Sequence, residues 1–387
     1  MKHFVESLLE EKSKAIKHLM HLGGEAHLIS KAETDAELTR MENLHSFLKN
    51  EKSNVKTIGV KADGSPSFEM GHITNPDTGE SQFGVAYKGA AKGYAFTQSD
   101  VLDKFGHSPG LHSKMSQLLE HGRKVMSPVH GVVQGDFMGS KKDNTIQQEG
   151  NDITHKENLI KYHYDKNSAE GKQLKNAKIS IALHTGISGE QPEYNIDTNK
   201  FHSNKDVHIF NNKVDQGNID YKDDAINDFE SNLNKAKEHL GGIVDHDSLV
   251  QGHTDHLQTY INKTVREGTN PTSSGYRKHL ETRLQKDVDK VKTPAVKLRK
   301  SIDMQNTLGD VDTRKEEFDS LFKGHIHLDK AKNAMLKTLE SSPQNQRQTI
   351  NDKPTMPEGF VVSYKDGSVR KVVNRSKEGF SGLNLNK

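Results

Sequence analysis

Apolar positions along this chain change their period repeatedly. Over residues 2–21, Phe4, Val5, Leu8, Leu9, Ile16, Leu19 and Met20 recur at helical spacing, and Gly23-Gly24 ends the run. Thr34-Asp35-Ala36-Glu37 has the form of a capping box, and Leu38, Met41, Leu44 and Leu48 continue an apolar face. The spacing therefore predicts two helices bracing the outside of a sheet. From Ile58 the period shortens to two. Ile58 to Lys61, Ser67 to Ile73 and Gln82 to Lys88 read as strands, with turns at Asp63-Gly64 and at Asn75-Pro76-Asp77-Thr78-Gly79. Helices are predicted near 99–104 and 113–125, and strands near 129–139 and 178–186.

From about Tyr221 to Glu340 the period returns to that of helices. Ala225, Ile226, Phe229, Leu233, Ala236 and Leu240 form one stripe, and Leu249, Val250, Leu257, Tyr260, Ile261 and Val265 the next. Gly241-Gly242, the segment Gly268 to Gly275, Pro294 and Gly309 punctuate this region, which shows no fixed-period repeat. After a polar linker over 342–356, Pro357 to Tyr364 and Ser368 to Arg375 read as a hairpin around Lys365-Asp366-Gly367. The order strands, helices, strands predicts a sheet domain begun by 1–215, interrupted by a helical module at 216–345 and completed by 346–387.

Composition narrows the class. With 31% hydrophobic and 28% charged residues among 387, much of the surface is solvated helix. No apolar run has the length of a membrane span, and the first residues lack the apolar core of a signal peptide, so the expected location is a cytoplasm, with no membrane partner. Were the gene carried by a phage, that would be the cytoplasm of its bacterial host. The absence of cysteine excludes disulfides, thiol catalysis and cysteine zinc sites. A net charge of +2 is too small to argue nucleic-acid binding, which must come from local clustering.

Candidate chemistry starts at Lys61-Ala62-Asp63-Gly64. Residues two apart on a strand share a face, so Lys61 and Asp63 should project together, and the following hairpin should return Lys88 toward them. An apolar run from Val129 to Gly139 delivers Asp136 beside Gly135, where little bulk hinders a ligand. Lys178 to Gly186 contains Ile181 and His184. For His184 two readings stand equal: a site residue or a core histidine. In the helical region Arg283, Lys286, Lys290 and Lys297 belong to a basic run over 277–300, read as one helix. That run is either a phosphate-binding stripe or a solvated face. The pairs His253/His256 and His325/His327 are too loosely spaced for zinc.

Lys61-Ala62-Asp63-Gly64 resembles the Lys-x-Asp-Gly motif of the covalent nucleotidyltransferases, meaning the ATP-dependent DNA and RNA ligases and mRNA capping enzymes. Four later segments follow in family order: Asp136, the strand around Ile181, Glu358-Gly359, and the basic strand with Lys371. The resemblance covers about two fifths of the chain and is strongest to phage-type RNA ligases. It implies an α+β fold, an antiparallel-sheet nucleotidyltransferase domain of the ATP-grasp-like ligase kind, here with a large helical insertion. It also implies an RNA ligase acting through a lysyl-AMP intermediate, with ATP and Mg2+ or Mn2+ as cofactors and RNA ends, or DNA ends, as partners. By the same resemblance Lys61, Asp63, Glu358 and Lys371 would be catalytic. Gly64, Lys88, Asp136 and Ile181 would help to hold the nucleotide, Ile181 against the purine, and Glu358 and Asp136 the metal. The chain departs from the family where Val373 replaces a second lysine, leaving Arg370 and Arg375 as the nearest extra cations. DNA ligases and capping enzymes continue after this point into an OB domain, so the helical module is expected to serve the acceptor strand, with Arg283, Lys286, Lys290 and Lys297 as its contacts.

Overall fold

The computed structural model describes residues 19–88, 92–126, 131–187, 192–342 and 346–375, so nearly all of the helix expected over 2–21 lies outside the described residues. The strands in chain order are β1 (Val55–Val60), β2 (Ser67–Thr74), β3 (Ser81–Tyr87), β4 (Val132–Ser140), β5 (Ile146–Glu149), β6 (Asp152–His155), β7 (Lys161–Asp165), β8 (Ile179–Gly186), β9 (Glu193–Tyr194), β10 (Val207–Ile209), β11 (Arg347–Ile350), β12 (Lys353–Pro354), β13 (Phe360–Tyr364) and β14 (Val369–Val372). The chain is an α+β protein with antiparallel sheets and a helical region. Two compact units divide it: one holds Val55–Asp215 and 346–371, the other Met20–Asn54, Gln216–Ser342 and 372–375.

The sheet unit contains three sheets. The largest runs β10-β8-β4-β2-β3 with β9 on β8, antiparallel except for β10 beside β8. Its two faces follow from the period of two. Phe68, Met70, Phe83, Val85, Val133, Phe137, Ile179, Ile181 and Leu183 alternate onto one face. There they meet Val101 and Phe105 of the helix Gln98–Phe105, and Met115, Leu118 and Leu119 of the helix Pro109–His121. Burying each large side chain contributes roughly 1.5–3 kcal/mol. The intervening residues, Ser67, Glu69, Gln134, Asp136, Ala182 and His184, fall on the opposite face. A second sheet, β12-β11-β7-β6-β5, packs His155, Tyr162 and Tyr164 against His208 and Phe210, next to the β10 edge of that polar face. The third sheet, β1-β13-β14, pairs Val60 with Phe360.

Two expectations change here. The polar linker over 342–356 contains the hairpin β11/β12, whose β11 pairs with β7 through Arg347 opposite His163. Its buried residues, Gln348 and Thr349, are polar, so hydropathy alone hid the strand. The helix predicted after Thr34 starts earlier, as Lys31–Leu48, because Ser30 is the cap, its hydroxyl accepting from the Glu33 amide at 3.1 Å. This helix packs on Asp223–Gly241 and Lys315–Ser341 within the helical unit instead of bracing a sheet.

In the helical unit, Asp223–Gly241 buries Phe229, Leu233, Ala236 and Leu240 against the long helix Lys315–Ser341. Gly324 permits their close approach, since a Cβ there would lie 2.6 Å from Leu240 side-chain carbons. The second apolar stripe is two helices, His246–Val250 and Thr254–Glu267, broken where Gly252 takes φ +77°. The basic run is likewise two helices, Ser273–Asp289 and Pro294–Thr313, because proline is tolerated in a first helical turn and not in a helix interior.

Candidate active site

Lys61 follows β1 directly. Its amide donates to the Gly359 carbonyl at 2.8 Å, which continues the β1/β13 ladder by one residue and sets Lys61 beside Glu358. The Lys61 ammonium and the Glu358 carboxylate are in contact, 29% and 18% exposed. Burial pushes the Glu358 carboxyl up; the Lys61 charge opposes that, while Asp63 and Asp136 reinforce it.

A cross-strand row supplies the rest. The Lys88 amide donates to the Ser67 carbonyl, Ser67 lies opposite Asp136, and Asp136 opposite Ala182, so these side chains share the polar face of the large sheet. The Ser67 hydroxyl donates to Asp136. His184 Nε2 lies 3.7 Å from Asp136 Oδ2, and its Nδ1 is 2.8 Å from the Thr185 hydroxyl. Burial drives the His184 pKa down; Asp136 opposes this, and the Lys88, Lys61 and Lys371 charges add to it. His184 thus sits, as a neutral imidazole at neutral pH, where three lysines from positions 61, 88 and 371 come together. Gly64 lies over the same face, where a Cβ would come within 2.7 Å of Asp136 and Met138.

Other expected residues are placed differently. Asp63 does not share an open cleft with Lys61. It is 3% exposed, and its carboxylate accepts from Asn158 Nδ2 at 2.6 Å and from the Leu159 and Ile160 amides at 2.8 Å each. Its own amide donates to the Tyr162 hydroxyl at 2.7 Å. Lys61 already lies beyond the end of β1, so strand alternation no longer holds and Asp63 turns inward as the anchor of 158–160. Ile181 is fully buried on the apolar face, among the core residues, so it offers no surface to a purine; alternation gives that face of β8 to Ala182 and His184. Arg370 is buried, adjacent to Lys371 on β14, and Arg375 bonds Asn262 and faces Glu25 in the helical unit, so neither stands in for the second lysine.

The basic run separates by context. Arg283 and Lys286 line a groove beside the helix Thr254–Glu267, Lys290 pairs with Asp287 at 3.0 Å, and Lys297 belongs to the next helix. The histidine pairs are used in packing: His253 meets Tyr276 at 2.8 Å and Asp310 at 3.1 Å, and His325 meets His27 at 3.1 Å. Among the described residues no group of three or more acidic or histidine side chains could hold a metal ion. Ser67 was not legible in advance, since nothing in a lone serine signals that the register will seat it opposite Asp136.

Fold and site define an α+β protein with an ionisable cluster of lysines, carboxylates and one histidine drawn from two antiparallel sheets. The chain belongs to the family of unknown function DUF6267, whose profile matches residues 16–387. Comparison with curated proteins and with solved structures found no match. Among the described residues no helix is long and apolar enough to cross a membrane.

Proposed function

We propose that this chain is an ATP-dependent nucleotidyltransferase that joins polynucleotide ends, RNA first among them, through an AMP adduct on Lys61. The observation that carries the reading is the Lys61–Glu358 contact at the meeting point of Lys88, Lys371, Asp136 and His184, residues drawn from segments up to 310 positions apart. A lysine nucleophile needs a neutral amine and a nearby acceptor for its proton. Glu358 is in contact with it, and its raised pKa makes it a stronger base than an ordinary carboxylate.

In this reading the Lys61 amine forms a bond to the α-phosphorus of ATP as its proton passes to Glu358. The bond from that phosphorus to the bridging oxygen breaks, and pyrophosphate leaves with the electron pair, its charge met by Lys88 and Lys371. Magnesium or manganese, held by Glu358 or Asp136 with phosphate oxygens, would neutralise further charge on the leaving group. A 5′-phosphate oxygen then takes AMP from Lys61, which recovers its proton. The 3′-hydroxyl of a second end displaces AMP to make the phosphodiester.

The test is intact-mass measurement after incubation with ATP and magnesium, with GTP in parallel. One adenylyl group should be gained on Lys61. Gain of guanylyl instead would favour a capping-type enzyme, and no gain with either nucleotide, on protein shown to be folded, would reduce the site to a binding surface.

A further inference from the structure

The helical unit contains a groove that the basic run only partly foreshadows. It lies along the seam of the helices Thr254–Glu267 and Ser273–Asp289, with a volume of about 610 Å3. That is within the range of ligand sites, roughly 300–1,000 Å3. Each helix contributes residues from one face. From the first come 259, 260, 263, 264 and 267, and from the second 275, 278, 279, 282, 283 and 286, the spacing of a period of 3.6. A helix–helix seam is usually apolar. This one carries Lys263, Lys278, Arg283 and Lys286 against a single acid, Glu267, which faces Lys263 at 3.8 Å.

The groove is built, and apart from Lys263 its cations form no ion pair among the described residues. Arg283 Nη1 reaches across the seam to the Thr259 hydroxyl at 2.8 Å. The Tyr260 hydroxyl is bonded to both the amide and the carbonyl of Thr272, which fixes the connecting loop, and Gly275 leaves room for that ring, since a Cβ there would lie 2.2 Å from its oxygen. Lys278 and Lys286 form no ion pair among the described residues. His279 lines the groove with a buried Nε2 that has no hydrogen-bond partner. The Lys263 and Arg283 charges add to burial in depressing its pKa.

We infer that this groove binds the phosphodiester backbone of a single-stranded polynucleotide, with Lys263, Lys278, Arg283 and Lys286 meeting successive phosphates. From Lys278 to Lys286 the helix rises about 12 Å, longer than the step between neighbouring phosphates of one strand, so the two lysines can meet different phosphates. The naming of a polynucleotide as ligand rests on the function proposed above; the groove's charge and shape do not. Lys290 and Lys297 are outside it, which divides the basic run into contacts and bystanders.

Titration of a fluorescein-labelled single-stranded oligoribonucleotide into the full chain, followed by anisotropy across about 50–200 mM salt, tests this. Lys278→Gln with Lys286→Gln should weaken binding roughly tenfold at low salt and lower the slope of log K against log salt by about 1.4, at ~0.7 per contact. Both side chains are exposed, so the circular dichroism should not change. Lys290→Gln with Lys297→Gln should leave affinity and slope as they were. An unchanged slope in the first pair, or an equal fall in the second, overturns the assignment. Displacement of the RNA by inorganic tripolyphosphate at equal phosphate concentration would also overturn it, in favour of a small polyphosphate ligand. Adduct mass measured on the same proteins separates the two readings. A normal salt response without any Lys61 adduct sinks the nucleotidyltransferase and leaves the groove, and the reverse result sinks the groove alone.

Discussion

The polar face of the large sheet and the groove of the helical unit both gather lysines, but by opposite routes. The sheet face carries Lys88, Asp136 and His184, with Lys61, Glu358 and Lys371 supplied beside it by the β1-β13-β14 sheet, so the geometry depends on pairings between distant segments. The groove comes from residues 259–286 alone, one helical hairpin whose spacing along the chain is its spacing in space. On the sheet face carboxylates stand among the cations, and in the proposed function Glu358 takes a proton from Lys61. In the groove cations exceed acids and only binding is available. The mixed ionisable cluster was assembled where contacts are non-local, and the cationic groove was laid out where they are local.

The sharpest way to break this contrast is Lys61→Arg. It keeps a cation beside Glu358 yet removes the amine, so adduct formation should fall by at least ~1,000-fold with little change in melting temperature; label retained on the variant would refute the nucleophile. Glu358→Gln should slow adduct formation by roughly 100-fold, within the usual range for losing a general base. Wild-type adduct formation should decline as pH falls through the raised carboxyl pKa, and this limb should be missing in the variant. The same shift has a stability consequence. Between the ordinary carboxyl pKa and the raised one, the folded chain holds a proton that the unfolded chain has lost, so stability from this group falls as pH rises through that window. Chemical denaturation across pH should show the slope in the wild type and its loss in Glu358→Gln.

Packing comes next. Gly64→Ala would press a Cβ to 2.8 Å from the Phe137 carbonyl as well as against Asp136 and Met138, and should cost about 1–3 kcal/mol in a urea titration while disturbing adduct formation. Gly324→Ala, which meets only the Leu240 side chain, should cost stability by an amount nearer the lower end and spare the adduct. If both substitutions harmed the adduct equally, the division of labour between the two regions would be wrong. The smallest effect expected is on His184: Lys88→Gln should raise its pKa by a fraction of a unit in an NMR titration, because one of the charges depressing it is gone.

Much of the layout was legible in the chain. The hairpin β2/β3 was set by its alternation and by the Asn75 turn, where the Asn75 side chain accepts from the Asp77 amide at 2.9 Å, and it returns Lys88 to Ser67 as its length required. Glu358 was singled out only by the resemblance, and the ladder of β1 on β13 is what sets it beside Lys61. Ile181 was misread because a motif position was taken before its place in the alternation of β8 was counted. Asp63 was misread because a strand was extended past its end. Strand β11 escaped because its buried side chains are polar.

What the sequence alone determined is whatever depends on neighbours along the chain: strand period, helix faces, the break at Pro294, and the cationic face of Ser273–Asp289. Tertiary structure decided which of two adjacent carboxylates, lysines or histidines meets which partner. Asp63 was turned inward by the amides of Leu159 and Ile160, Asp136 was given to Ser67 and His184, and Lys263 was brought to the far side of a groove whose other wall the sequence had displayed as a bare stripe. The reason is physical. Periodicity is an energy of each segment with a generic apolar environment, whereas a hydrogen-bonded carboxylate or a shared electrostatic field is an energy between particular atoms, and exists only once register and packing have set the distance.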